Sequence, residues 1–172
     1  MLDSTLLNTI TESYADYIIH GVDTSDGFPC LEVECHNIAE FCAKLKQDPK
    51  LQFNFLSDIC GVDYYPKTPR FEVVYHLYSI TYKYRLRLKC KLAEEEKIPT
   101  VTSVWRTANW HEREAFDMYG IIFYNHPDLR RIYLWDGFEG YPQRKDFPLR
   151  GYRDEYNPFG EDSPSHDQGW SH

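Results

Sequence analysis

Residues 110–149 read WHEREAFDMYGIIFYNHPDLRRIYLWDGFEGYPQRKDFPL, and the beginning of this segment predicts a short helix. Asn109 is a suitable N-cap, and Glu112 stands three residues later, where its carboxylate can reach back to complete a capping box. Gly120 supplies the left-handed residue that commonly ends a helix. We therefore predict a helix that begins after Asn109 and ends at Gly120.

The two sides of this predicted helix differ in character. Arg113 and Asp117 lie four residues apart, a spacing at which opposite charges on a helix can pair. The apolar side is formed by Ala115, Phe116, Met118 and Tyr119. We expect the apolar side to pack against the rest of the chain and the other side to carry charge.

After Gly120 the sequence becomes irregular. Residues 121–123 predict a brief extended segment, and residues 125–128 predict a turn, because Pro127 keeps His126 out of helical backbone angles. From residue 129 to residue 149, basic, aromatic and turn residues interleave with few aliphatic ones. Such a segment cannot bury itself, and its aromatics and arginines are residue types that protein interfaces enrich.

The order of these residues resembles the signature of the thirty-kilodalton subunit of respiratory complex I, which carries the letter C in bacteria and the letter J in the chloroplast and cyanobacterial enzymes. Many fixed positions in order make this signature far more specific than a motif of three or four letters. Gln143 departs from it, since an apolar residue such as leucine is expected there. The resemblance is carried by His111–Glu114, Asp117, Gly120, His126–Pro127, Leu129, Arg131–Ile132 and Arg144–Leu149.

The resemblance implies a cofactor-free, hydrophilic subunit in the peripheral arm of a proton-pumping NADH:quinone oxidoreductase, on the cytoplasmic side of the bacterial inner membrane. FMN and iron–sulfur clusters would belong to partner subunits. The implied neighbours are the forty-nine-kilodalton subunit, which carries the letter D in bacteria, and the subunit that holds the terminal iron–sulfur cluster, beside other complex I subunits. The chain would support assembly and stability of the quinone-reducing module and have no activity alone.

Related assemblies stay open as alternatives. Members of this family also occur in membrane-bound hydrogenases, in methanogen-type, F420-dependent dehydrogenases and in ferredoxin-dependent photosynthetic complexes. Because other subunits select the electron donor and acceptor, this sequence does not specify them.

The resemblance gives its site residues two roles. The first set would fix the signature helix and its junction with the body of the chain: Glu112, Arg113, Glu114 and Asp117. His126 would brace the turn. The second set would make charged contacts to a neighbouring subunit: Arg130, Arg131, Arg144, Lys145 and Asp146, with Arg150 beside them. Arginine suits such contacts because its planar guanidinium binds carboxylates in pairs of hydrogen bonds, although solvated surface charge is the alternative interpretation.

A metal or catalytic site is the competing interpretation of the acidic helix. A zincin would need a second histidine four residues after His111, and that position is Ala115. Glu114 and Asp117 could form a carboxylate pair for acid–base catalysis, as in a stand-alone hydrolase, but Arg113 lies beside them. A proton-handling role for His126 is a further alternative. We assign no catalytic, cofactor-binding or metal-binding residue to this chain.

Composition excludes several function classes. A net charge of −8 argues against a nucleic-acid-binding protein. No run approaches the roughly 18 apolar residues of a membrane span, so we expect membrane contact only through a partner. The five cysteines are odd in number and lack a Cys-x-x-Cys pair, which is typical of buried free thiols and not of a disulfide framework or metal site.

The sequence as a whole predicts an α+β fold with a mostly antiparallel sheet covered by helices on one face. Apolar residues recur at three and four over residues 2–19 and 38–45, which predicts two further helices. Alternation predicts strands over residues 30–35, half-buried, and over 53–65, 71–80 and 84–92. The last strand places basic residues on one face, which we expect to be open to water. The acidic run Glu94–Glu96 predicts a solvated loop without a functional role.

Three parts are expected along the chain. Residues 1–108 form an α/β body, residues 109–150 form the signature helix and a partner-contacting extended segment, and residues 151–172 form a tail ordered mainly by a partner. The final residues, Trp170–His172, resemble the remnant of an affinity tag and carry no argument.

Overall fold

The computed structural model describes residues 2–22 and 24–163, and side chains from Leu6 onward. The predicted tag remnant therefore lies outside the described residues. The helices are α1 (Leu2–Ser13), α2 (Ile38–Gln47) and α3 (Ala108–Tyr119). The strands are β1 (Ile18–Gly21), β2 (Cys30–Val33), β3 (Phe55–Asp63), β4 (Phe71–Tyr78), β5 (Arg85–Leu92), β6 (Lys97–Pro99) and β7 (Ile122–Tyr124).

The main sheet has five strands in the order β1-β2-β5-β4-β3. Its pairs are antiparallel except for the parallel pair of β2 and β5, and β6 and β7 form a separate two-stranded parallel sheet. The predicted α+β class with a mostly antiparallel sheet is confirmed.

The two faces of the main sheet follow from the alternation in β4 and β5. One face places Val73, Tyr75 and Leu88, all fully buried, in a cluster with Phe41 of α2 and Ile10 of α1. The other face carries the predicted row of basic side chains, where Lys89 pairs with Glu72 (3.1 Å) and Lys91 with Glu32 (2.7 Å). Burial of the apolar face supplies the main driving force for folding.

One expectation from the sequence was wrong in detail. Strand β2 is fully buried, not half-buried, because it has a neighbouring strand on each side. Helix α1 covers Leu2–Ser13, much of the predicted range of residues 2–19, and the chain then turns into the sheet, where Ile18 pairs with Val33. Strand β3 continues through Gly61, where a Cβ would lie 2.6 Å from Cδ2 of Tyr119. Glycine here allows α3 to approach the sheet closely.

All five cysteines are free thiols, as predicted, and Cys30, Cys42 and Cys90 are buried. Within the described residues, no helix is both long enough and apolar enough to span a bilayer.

Candidate functional site

Helix α3 ends as the sequence predicts but begins differently. Gly120 has a left-handed φ of 77°, and its N–H donates to the carbonyl oxygen of Phe116 (2.8 Å). The helix begins at Ala108, so Asn109 lies inside it and the predicted capping box is wrong. The carboxylate of Glu112 instead accepts hydrogen bonds from the Val101 N–H (2.7 Å) and the Thr100 hydroxyl. Glu112 therefore fastens α3 to the chain that precedes it.

Glu112 lies beside His126 in a site closed to solvent. The two side chains are fully buried, and Nε2 of His126 is 3.9 Å from Oε2 of Glu112. Nδ1 of His126 accepts the N–H of Asp128 (3.0 Å), which leaves the proton on Nε2, facing the carbonyl oxygen of Asn109 (3.3 Å). Burial raises the pKa of Glu112 to about 7 despite its two hydrogen bonds, and burial lowers the pKa of His126. His126 thus braces the turn.

Asp117 organises the chain that follows the turn. Its Oδ2 accepts three backbone N–H groups, those of Ile132 (3.0 Å), Tyr133 (2.8 Å) and Leu134 (3.2 Å). Its Oδ1 accepts from the guanidinium of Arg131 (3.0 Å). Burial opposes ionisation, but these donors outweigh it and hold the pKa of Asp117 below its usual value. One carboxylate therefore fixes the path of the backbone.

Arg113 does not pair with Asp117, contrary to the expectation from their spacing. Its guanidinium donates to the carbonyl oxygens of Arg130 (3.0 Å) and Arg131 (3.2 Å) and lies over the ring of Trp110. Glu112, Arg113 and Asp117 are buried, so the side of α3 that carries charge is packed as well. The physical reason is that residues 129–134 cross this side of α3 and need polar partners there.

A second polar cluster lies at the end of the sheet where β3 ends and β4 begins. Arg70 is almost fully buried and forms ion pairs with Asp63 (3.1 Å), Glu94 (3.0 Å) and Asp146 (2.6 Å). Asp63 also accepts the backbone N–H of Lys145 (2.8 Å). We call Asp63, Arg70, Glu94 and Asp146 the sheet-end cluster. It ties residues 145 and 146 to the sheet.

Arg144 joins this cluster to helix α3. Its Nε donates to the carbonyl oxygen of Tyr119 (2.7 Å), and Nη1 donates to Glu94 (2.7 Å). Its guanidinium also lies 4.6 Å from the ring centre of Tyr141. Glu94 thus binds two arginines, and the expectation that the acidic run has no role was wrong for this residue. The sequence did not indicate Asp63, Arg70 and Glu94, whose contacts to residues 144–146 join segments that lie 50 or more residues apart.

The predicted site residues therefore separate into inward-facing and outward-facing groups. Arg131 and Arg144 bind carboxylates of their own chain and lie mostly inside. Arg130 also binds a carboxylate of the chain, that of Asp128, but its side chain is 72% exposed. Glu114, Lys145 and Arg150 are also exposed. We call residues 129–150 the signature segment. Large exposed apolar side chains lie along it and just beyond it: Tyr133, Trp135, Leu149, Tyr156 and Phe159.

The tail begins with contacts to the signature segment. The ring of Tyr152 packs against Phe147, and the backbone of Tyr152 forms an isolated β-bridge with that of Glu161. Tyr156 packs against Trp135. Across residues 2–22 and 24–163, no three His, Cys, Asp or Glu side chains are placed to hold a metal ion together. The arrangement can hold an extended segment in a fixed shape and present its aromatics.

Residues 31–153 match the model of the family described as respiratory-chain NADH dehydrogenase, 30 Kd subunit. The chain belongs to that family. This matched range includes the main sheet from β2 onward, α3 and the signature segment. Membership of this family agrees with the resemblance found in the sequence.

Several curated relatives in this family share much of the sequence. The C 2 subunit of the NADH-quinone oxidoreductase of Rhizobium etli is 61% identical and aligns with 90% of this chain and 82% of its own length. The protein of the same name from Rhizobium meliloti is 63% identical, with 85% of this chain and 80% of its own length covered. The C subunit of the NADH-quinone oxidoreductase of Maricaulis maris is 50% identical and aligns with 80% of this chain and 68% of its own length.

The fold also matches a solved structure of lower sequence similarity. One chain of the membrane-bound sulfane sulfur reductase, an archaeal respiratory membrane complex, superposes with a TM-score of 0.72 at 24% identity. The match covers 87% of each chain. At this identity the likeness establishes the fold alone.

Proposed function

We propose that this chain is a non-catalytic peripheral subunit of an NADH:quinone oxidoreductase and supports assembly and stability of the quinone-reducing module. The observation that carries the proposal is the family match over residues 31–153, with relatives 61% and 63% identical that are C 2 subunits of NADH-quinone oxidoreductases. The signature segment supports the same role, because the chain's own carboxylates hold it while its aromatics stay exposed.

The neighbours that we propose are the forty-nine-kilodalton subunit and the subunit that carries the terminal iron–sulfur cluster. FMN and the iron–sulfur clusters would lie in partner subunits, and the complex would hold this chain on the cytoplasmic side of the bacterial inner membrane. The exposed cations Arg130, Lys145 and Arg150 are available to carboxylates on a partner. Arg131 and Arg144 would act indirectly, by shaping the signature segment.

We also propose that the three expected parts of the chain have separate tasks. The body of residues 1–108 anchors the signature region of residues 109–150, and the tail from residue 151 is ordered mainly by a partner. If so, a protease should cleave beyond Gly151 in the isolated subunit and should cleave there far more slowly in the assembled complex. Equal protection of the tail in the isolated subunit would contradict this division.

Replacement of Arg144 by alanine tests the proposed function. Arg144→Ala removes the contacts to Tyr119 and Glu94, so we expect less assembled complex but unchanged turnover in each assembled complex. The measurement combines native gel quantification with NADH:quinone activity per complex. Arg106→Ala, which removes an exposed arginine outside the signature segment, is the matched control and should leave assembly unchanged. Equal assembly with lost turnover would contradict a purely supporting role.

A pull-down in mild detergent followed by mass spectrometry identifies the assembly. Recovery of a homologue of the forty-nine-kilodalton subunit, with flavin and iron–sulfur subunits of an NADH-oxidising module, supports the proposal. Recovery of a hydrogenase or ferredoxin-dependent module would assign the chain to a related complex. Recovery of the folded chain alone, with turnover of a substrate by the isolated chain, would favour the stand-alone hydrolase.

A further inference from the structure

The solvent-facing side of the main sheet contains a groove of about 450 Å³ at the end where β3 begins. Its floor is made of two neighbouring rungs of the sheet. In the first rung Phe55 pairs with Tyr78, and Tyr78 pairs with Arg85. In the second rung Asp58, His76 and Arg87 occupy the corresponding positions. Phe28 closes one side of the groove.

This groove lies far from the signature segment. The sheet-end cluster gathers at Asp63 and Arg70, beside the start of β4, whereas Tyr78 is at the other end of that strand. Seven residues separate Phe71 from Tyr78, which corresponds to about 23 Å along an extended strand. The groove is therefore a surface separate from the contacts proposed above.

The apolar part of the groove is unusually exposed. Phe28 is 40% exposed and Phe55 is 45% exposed, and the guanidinium of Arg85 lies 5.6 Å from the ring centre of Phe28 and 5.5 Å from that of Tyr78. Aromatic rings next to arginine are the residue combination that interface hot spots enrich. They suit an apolar or aromatic side chain that is inserted between them.

One of the two cations of the groove is not balanced by the chain itself. In the ion pairs formed within residues 24–163, Arg85 has no carboxylate partner, while Arg87 pairs once, with Asp26 (2.7 Å). The Nε–H of Arg87 is shielded from solvent and has no acceptor. Arg85 is therefore the cation of the groove that lacks a carboxylate partner and that a carboxylate in the groove can bind.

The remaining charged groups of the groove do not supply that carboxylate. Asp58 lines the groove but is engaged by His111 (3.1 Å) and by the Cys60 thiol (2.8 Å). Burial, together with the charge of Arg87, lowers the pKa of His76, so its imidazole is neutral near neutral pH. The groove thus presents two guanidinium groups beside exposed aromatic rings, on a chain whose net charge is −8.

We propose that this groove binds an extended peptide segment of a partner subunit that carries a carboxylate next to an apolar or aromatic side chain. The two rungs are two residues apart on β4 and β5, about 7 Å, which matches the spacing of alternate side chains in an extended peptide. The carboxylate binds the guanidinium of Arg85, and the apolar side chain fills the space between Phe28 and Phe55. The partner is a subunit of the complex in which the proposed function places this chain.

Site-specific photo-crosslinking in the assembled complex tests this proposal. p-Benzoylphenylalanine replaces Phe55, whose exposure allows the larger ring, and irradiation is followed by mass spectrometry of the crosslinked peptides. We expect a crosslink to a partner segment in which an Asp or Glu adjoins an apolar residue. Arg85→Glu should reduce the crosslink yield about tenfold, since a charge-assisted hydrogen bond becomes a repulsion.

Two further variants keep the test decisive. Lys50→Glu makes the same change of charge at an exposed position outside the groove and should leave the yield unchanged. Arg85→Gln removes the charge without reversing it and should also lower the crosslink yield. This variant replaces Arg85→Glu in the test if Arg85→Glu impairs assembly.

The remaining outcomes would overturn the proposal. One is a crosslink to lipid, to a second copy of this chain or to a segment without a carboxylate. Another is a loss of crosslink yield with Lys50→Glu as large as that with Arg85→Glu, and the last is the absence of any crosslink. Co-purification of the other subunits is measured in the same sample. An assembled complex without the crosslink refutes the groove alone, whereas absence of the other subunits refutes the proposed function.

Discussion

The body of the chain and the signature segment are held by different kinds of contact. In the body, Phe41, Tyr75 and Leu88 belong to a continuous cluster of fully buried apolar side chains between α2 and the sheet. The signature segment crosses α3 and the sheet end on polar contacts, chiefly those of Asp117 and Arg70. Many weak apolar contacts stabilise the body of the chain, and a few strong polar contacts stabilise the signature segment.

This difference teaches where single substitutions matter. An apolar cluster shares its stabilisation among many side chains and unfolds as a unit. A carboxylate that binds three backbone N–H groups concentrates its effect in one position. Damage to the body should therefore be global, and damage to Asp117 or Arg70 should release the signature segment from an intact sheet.

The largest effect is expected in the body. Phe41→Ala should lower the free energy of unfolding by about 4 kcal/mol, because it leaves a cavity between α2 and the sheet. Urea unfolding followed by circular dichroism measures this change. Phe159→Ala, at an 86% exposed position, is the control and should change the free energy of unfolding by less than about 0.5 kcal/mol. Similar losses in both variants would contradict the assignment of the core.

The next effect separates the two regions. Asp117→Ala leaves three backbone N–H groups and Arg131 without their acceptor, which should cost about 3 kcal/mol. Limited proteolysis should then cleave residues 129–150 while β4 and β5 stay resistant. Asp136→Ala, at an exposed position of the same segment, is the control and should leave the cleavage rate unchanged. Uniform cleavage throughout the chain of Asp117→Ala would contradict the separation.

Glu112 and Asp117 should respond to pH in opposite directions, although both are buried on α3. The folded-state pKa of Glu112 is raised to about 7, so its stabilising contribution is greatest when it is protonated and is lost as pH rises from about 4.5 through 7. The pKa of Asp117 is lowered, so its contribution is lost only as pH falls below about 4.

Glu112→Gln isolates this dependence. Relative to this variant, the wild-type chain should lose roughly 2 kcal/mol of unfolding free energy between pH 5 and pH 8. Urea unfolding at several pH values measures the difference, in which the contributions of His126 and other groups largely cancel. Parallel curves for the two proteins would show that Glu112 does not titrate in this range.

The smallest effect is expected at the sheet end. Arg70→Lys keeps the charge but loses the guanidinium fork that binds Asp63, Glu94 and Asp146 together, which should cost about 1–2 kcal/mol. Arg153→Lys, at an exposed arginine, is the matched control and should be neutral. Thermal unfolding measures the stability of the two variants. A loss of stability in Arg70→Lys as small as that in Arg153→Lys would contradict a stabilising role of the sheet-end cluster.

The body could be predicted from the sequence because its patterns are local. Alternation in residues 85–92 reflects one buried and one basic face, and the spacing of Phe41, Cys42 and Leu45 reflects one packed side of α2. Gly120 was equally predictable, since its left-handed backbone angle is a property of the residue itself.

The polar contacts of the site could not be predicted in the same way. Arg113 and Asp117 have the spacing of a helix pair, but the chain that crosses them offers better partners to each. Glu94 stands in a run of three glutamates, and nothing local distinguishes it from Glu95 as the partner of Arg144, fifty residues later. Such contacts depend on which segments meet in the fold, whereas the family signature preserves only the residue types.

Amide hydrogen exchange in the isolated chain tests most directly whether its own carboxylates shape the signature segment. Asp117 binds the N–H groups of Ile132, Tyr133 and Leu134, and Asp63 binds that of Lys145. We predict that these four amides exchange far more slowly than unstructured amides. Asp117→Ala should remove the protection of the first three only. Exchange of all four at the rate of an unfolded chain, beside protected amides in β4, would show that a partner and not this chain sets the conformation of the segment.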